Sequence, residues 1–211
     1  MSIFGEQKPA LYPTTGAINT TSVIGVGTTT TIETASVHGL AVGDGVLLQG
    51  ITGATSSING SYKVQRLFGT DSFGIIHTVA GSPTGGNITK GIYLTHSTIN
   101  FNFVEAEQLN YRSVISGVKT NTHLGDYGTF KVIVYLWKFS SAKTMLTNLY
   151  AYYHTNVIFC PNQLPIKDGS GLVYCYLNGF RPFYWRNFRD YDAVELTFDI
   201  NEYHDVSKLL I

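Results

Sequence analysis

Short runs in which every second residue is apolar dominate this chain, and they predict β-strands, because successive side chains on a strand point to opposite faces. Thr28 to Ser36 is β-branched and free of Gly and Pro, as an extended strand favours. Gly43-Asp44-Gly45 reads as a turn leading into Val46-Leu47-Leu48. Asn59-Gly60 predicts a two-residue hairpin, since both residues accept positive φ. Ser61 to Leu67 follows, with Tyr62, Val64 and Leu67 expected inward, and then Phe73 to Val79. The run Ser82-Pro83-Thr84-Gly85-Gly86 is expected to break the meander.

Further along, Thr98 to Val104 alternates through Ile99, Phe101 and Phe103, and Tyr111 to Val118 predicts another strand. Between them and the next strand lies the turn-rich stretch His123 to Gly128. Phe130 to Phe139 is apolar throughout, the pattern of a strand covered on both faces. Ser140 or Ser141 can cap a helix, and Ala142, Met145, Leu146, Leu149 and Tyr153 then recur at three- and four-residue steps. That predicts one amphipathic helix over about residues 140–154. Asn156 to Cys160 and Leu172 to Leu177 return to strands, with Asn178-Gly179 as a turn. Ala193 to Ile200 places Val194, Leu196, Phe198 and Ile200 on one face and Glu195, Thr197 and Asp199 on the other. The fold class is therefore mainly β: a small all-β module inserted near the N-terminus of a split β-barrel or sandwich with one α-helix.

Composition divides the 211 residues into three. Residues 1–16 form an N-terminal arm, 17–97 a Thr-, Gly- and Ser-rich β module, and 98–211 an aromatic-rich domain, with the boundary near His96 to Ile99. Charged residues make up 13% of the chain, about half the usual share, and the net charge is zero. Sequence-specific duplex binding is not expected without a surplus of Lys and Arg. No apolar stretch is long enough to insert in a membrane, and the polar, Pro-containing start does not resemble a signal peptide. Synthesis in the cytosol is the expectation. Cys160 and Cys175 lack metal-ligand spacing and read as buried thiols.

Catalytic patterns are sparse. The chain contains no nucleophile elbow, phosphate loop or HExxH pattern. The six histidines are scattered, and His204-Asp205 would point to opposite faces of a strand. Asp190, Asp192 and Glu195 stand among Arg186 and Arg189, which favours charge pairing over acid–base work. Ser22 to Thr31 is Gly- and Thr-rich but carries no Lys and opens no helix, so it is a poor phosphate cradle. No catalytic residue, cofactor or metal ligand is assigned, and an enzyme is not expected; a glycan hydrolase would have to rest on Asp190 and Asp192.

The most informative stretch is Phe180 to Asp192. Its aromatics and arginines are of the kind that fill protein interface cores. Arg181, Phe183, Tyr184, Trp185, Arg186, Phe188 and Arg189 are the candidate subunit interface. The alternatives are ordinary core aromatics or a stacking platform for sugars or single strands, the acidic neighbours weighing against nucleic acid.

His38-Gly39-Leu40, Val42-Gly43-Asp44, Ile51-Thr52-Gly53 and Asn59-Gly60 with Tyr62 and Val64 together resemble a module recurrent in phage structural proteins. That module is similar to the first catalytic-cysteine half-domain of ubiquitin-activating enzymes. The resemblance covers roughly residues 20–80 and implies no ubiquitin chemistry, since this segment has no cysteine. The single helix between Phe139 and Asn156 and the closing strand Ala193 to Phe198 resemble the split β-barrel of phage tail-tube, tail-terminator and distal tail proteins. This implies a virion subunit in the tail, forming a ring homo-oligomer, hexameric in many relatives, with other virion proteins as partners. A capsid decoration or a receptor- or glycan-binding module is the alternative.

Overall fold

The structure is a computed structural model that describes residues 9–54, 58–94, 97–104, 109–112, 119–122, 127–139, 141–160, 172–183 and 192–200. Among them the chain is mainly β with one α-helix. In chain order the strands are β1 (Ala10–Pro13), β2 (Ile18–Val26), β3 (Thr29–Thr34), β4 (Gly45–Gln49), β5 (Thr52–Ala54), β6 (Gly60–Lys63), β7 (Arg66–Leu67), β8 (Ser72–Ile76), β9 (Gly81–Thr84) and β10 (Asn87–Tyr93). They continue as β11 (Ser97–Val104), β12 (Leu109–Arg112), β13 (Lys119–Thr122), β14 (Tyr127–Tyr135), β15 (Asn156–Cys160), β16 (Val173–Phe183) and β17 (Ala193–Ile200). The helix α1 (Ala142–Tyr150) follows β14 after one 3-10 turn at Leu136–Lys138.

Thirteen strands make one antiparallel sheet in the order β11-β14-β17-β16-β15-β1-β10-β2-β3-β8-β7, with β4 against β10 and β6 against β4. The compositional boundary therefore falls inside a continuous hydrogen-bonded surface. Its hinge strand is β1, from the segment that reads as an arm: Leu11 pairs with Ile92 of β10 on one edge and with Phe159 of β15 on the other.

Three apolar clusters fill the interior. One joins Val23, Ile32, Val46, Leu48, Ile58, Phe73 and Ile88 in the first part. A second joins Val132, Val134, Phe159, Leu177, Leu196 and Phe198 under Met145 and Leu149 of α1. A third, with Ala10, Tyr12, Leu47, Tyr93, Ile158 and Cys160, lies across the junction. Each fully buried side chain of this size contributes about 1.5–3 kcal/mol.

Tyr12 carries the junction. In register, the row runs from Tyr12 of β1 past Gly91 of β10 to Gly45 and then Lys63 of β6. The Tyr12 ring lies over Gly91, where any Cβ would fall inside van der Waals contact with the ring. A Cβ on Gly45 would stand 3.2 Å from the hydroxyl. The ring thus occupies space that two missing side chains leave open, and its hydroxyl meets Ser61 Oγ at 2.5 Å. Aromatic cover of strand glycines in this way pins register.

Several expected elements appear near their predicted places: β3, β4, β8, β11, β15 and β17. Ser141 caps α1, its hydroxyl accepting from Thr144 N at 3.2 Å. Ala193, Val194, Leu196 and Phe198 are buried. Other readings change. Asn59-Gly60 is not a hairpin turn, because Gly60 already sits in β6 opposite Leu48. Asn59 instead closes the loop with its side chain: Oδ1 accepts from Ile51 N at 2.9 Å and Nδ2 donates to Ile51 O at 3.0 Å. Asn59→Ala is therefore expected to cost about 1–3 kcal/mol in denaturant unfolding, by orphaning two buried backbone groups. An unchanged midpoint would show that water replaces both bonds.

Asn178-Gly179 is not a turn either. β16 runs through it with a bulge between Leu177 and Gly179, where a Cβ would stand 2.7 Å from Thr197. Gly81 to Thr84 is the strand β9, paired with β5, rather than a break. Leu67 is exposed, because β7 is the last strand of the sheet and no described strand pairs with its outer side. Across residues 131–139, Val132, Val134 and Leu136 are fully buried, whereas Lys131, Trp137 and Lys138 are exposed. Tyr111 to Val118 contributes to a separate hairpin, β12 with β13, and residues 113–118 lie outside the described residues.

Candidate functional site

The aromatic, arginine-bearing stretch leaves the sheet at the end of β16 and returns at β17. Of the candidate interface, Arg181 and Phe183 are described; Tyr184, Trp185, Arg186, Phe188 and Arg189 lie outside the described residues. Strand register places the two described members in rows. Phe183 faces Ala193, which faces Tyr135 of β14. Arg181 faces Glu195, which faces Ile133. These rows alternate with Val134, Val194, Leu196 and Phe198, whose side chains fill the second apolar cluster, so they belong to the opposite face of the sheet. That face carries half-buried Ile133, Tyr135 and Phe183 beside exposed Arg181.

The root of the stretch is anchored by backbone. Asp192 N donates to Phe183 O at 3.2 Å, and Asp192 O accepts from Leu136 N at 2.8 Å. The 3-10 turn is thereby tied to it, and the turn holds Trp137 53% exposed with Lys138 Nζ 5.0 Å from its ring centre. An exposed Trp with a cation over its face is interface chemistry that the sequence reading did not single out.

Two more exposed surfaces stand out. At the end of α1, Tyr150 and Tyr153 pack around Phe180, with ring centres 5.2 and 5.8 Å from it, and His154 stacks on Tyr153 at 3.8 Å. His154 has φ 61°, a left-handed backbone, and its N–H donates to Leu177 O at 2.9 Å. On the module, Val26, Thr29 and Ile76 form one cross-strand row of β2, β3 and β8, and Ile24, Thr31 and Gly74 the next. Val26 is 72% exposed and Ile76 59%, and Phe68, packed over Gly74, is also exposed. The longest open edge is β11, which among the described strands pairs with β14 alone, over eight residues.

Among the described residues, groups able to do chemistry do not converge. Among the described residues, no three His, Cys, Asp or Glu side chains gather as a metal site. Cys160 and Cys175 are buried side chains in different clusters. His38 is buried and accepts from Leu40 N at Nδ1, 2.9 Å, which shapes the turn before β4. Asp192 is buried at the start of β17, while Asp190 and His204 lie outside the described residues. Among the described residues, no helix is long and apolar enough to cross a membrane. No protein-family model matches the chain, and no curated protein matches it.

Proposed function

We propose that this chain is a structural subunit of a phage virion, a ring-forming tail or baseplate component that assembles with copies of itself and with other virion proteins. The observation that best supports this reading is the open β11 edge at the end of a charge-poor, thirteen-stranded sheet. Among the described residues this eight-residue strand has no pairing strand on its outer side, and the N–H and C=O groups of such an edge can be completed by a neighbour's strand. The exposed Trp137, Tyr150 and Val26 regions add apolar area of the kind that subunit contacts cover. The module order in the sequence supports the virion assignment.

The test is mass in solution. Light scattering at high protein concentration is expected to give a closed multiple of the monomer. Arg181→Glu, which would set a second acid opposite Glu195 in the row, is expected to weaken assembly by about tenfold or more. A wild-type chain that stays monomeric overturns the proposal. Labelling of assembled particles separates the two virion readings: label on the tail agrees with it, and label on the head replaces it with capsid decoration.

A further inference from the structure

Between α1 and the β module runs an open groove of about 960 Å³. One wall is the side of the helix that carries Ser141, Thr144, Asn148 and, two residues past its end, Tyr152. Ser141 to Asn148 advances about 10 Å along the helix axis. The other wall is the turn at Asp44 together with Lys63. The floor is the β1–β10 junction over the buried Tyr12 ring.

The charges in this groove do not cancel. Lys90 Nζ is 3.0 Å from Asp44 Oδ2 and also donates to Gly39 O, so this pair is neutral and internally satisfied. Lys63 is half-buried, and among the described residues its amine has no carboxylate partner. Asn148 and Tyr152 likewise make no hydrogen bond through their side chains among the described residues. Among the described residues the groove therefore offers one uncompensated cation, neutral hydrogen-bonding groups along the helix, and the Tyr152 and Phe139 rings.

That set selects among ligand classes. One net positive charge is too little for a nucleic-acid backbone. The lining mixes apolar Pro13, Val42, Ile92 and Met145 with Lys63, Thr144 and Asn148, and a wholly apolar ligand such as a lipid tail or an apolar helix face would leave the polar members without partners. A peptide that binds by adding a strand would need a free edge, but both floor strands are paired on both sides, β1 by β10 and β15, and β10 by β1 and β4. A ligand rich in hydroxyls and carrying a carboxylate meets every feature. We propose that this groove binds a short acidic oligosaccharide, with Lys63 holding the carboxylate and Asn148 and Tyr152 the sugar hydroxyls and ring face. The site is built within one chain and does not depend on ring assembly.

Calorimetric titration of the full chain with trigalacturonate and with sialyllactose tests this, using maltotriose as the neutral control and inorganic phosphate as the bare anion. At least one acidic sugar is expected to bind with Kd of about 1 mM or tighter, about tenfold or more below maltotriose. Lys63→Met is expected to bring it down to the maltotriose level, and Asn148→Ala to weaken it separately, with thermal melting unchanged in both. Binding of neither acidic sugar overturns the proposal. So does binding that survives both substitutions, or phosphate binding as tightly as the sugars, which would leave a bare anion site.

Discussion

Tyr12→Ala is expected to destabilise the protein by about 3–5 kcal/mol and to separate the unfolding of its two halves. The ring is fully buried and spans four strands, from β1 across Gly91 and Gly45 to Ser61 in β6. Neither glycine has a side chain to move into the vacated space, so the cavity cannot collapse cheaply. Ser61 Oγ, 2% exposed as a residue, also loses its partner. Tyr12→Phe separates these contributions, since it keeps the ring and removes only the hydrogen bond, at about 0.5–1.5 kcal/mol. Both tryptophans, Trp137 and Trp185, lie in the second part of the chain. Their fluorescence therefore follows that part alone, whereas circular dichroism follows the whole sheet. In the wild type the two denaturation curves should coincide, and in Tyr12→Ala they should part. Coincident curves in the variant, or a loss below about 1 kcal/mol, would show that backbone pairing alone joins the halves.

How much of this was legible in the sequence depends on what each segment packs against. β17 shows its alternation plainly, because one face is core and the other is half-exposed. α1 shows its stripe because Met145 and Leu149 alone reach the interior. β1 and β10 hold the sheet together and were missed. Ala-Leu-Tyr-Pro is too short to show a period, and Gly91 interrupts β10 where the pattern needed a side chain. The missing side chain belongs to Tyr12, about eighty residues earlier in the sequence. The role of Asn59 was hidden at short range instead, because its closure of the loop back to Ile51, eight residues earlier, looks locally like an Asn-Gly turn. In the candidate interface, composition pointed to Phe180 to Asp192, but only strand register places Arg181 and Phe183 on the face away from the core. The groove was not legible, because Lys63, Asp44 and Asn148 come together only once α1 crosses the module.

Stability is expected to fall steeply above pH of about 10, the ordinary tyrosine value, through deferred ionisation of three tyrosines. Burial pushes Tyr12 well above that value, with the Ser61 hydrogen bond working against it. Burial pushes Tyr62 up to about 12. Tyr152 is raised by burial and by the negative charge of Asp44. In each case the folded chain holds its proton after the unfolded chain has released it. The unfolded state then binds fewer protons, so the free energy of unfolding decreases as pH rises. The contribution is whole below the unfolded value of 10.0 and is lost as pH climbs through the folded values, which for Tyr62 closes at about 12. Two units at Tyr62 correspond to about 2.7 kcal/mol, and Tyr12 adds to this in the same direction. Tyrosinate absorbance from these three side chains should therefore stay low in the folded protein and jump as the sheet unfolds. Asp44→Asn should advance Tyr152 alone and leave Tyr12 and Tyr62 deferred. A denaturation midpoint that holds steady from about pH 9 to 11.5 would mean that these hydroxyls reach water in the folded state. The Tyr12 ring could not then be sealed over its two glycines.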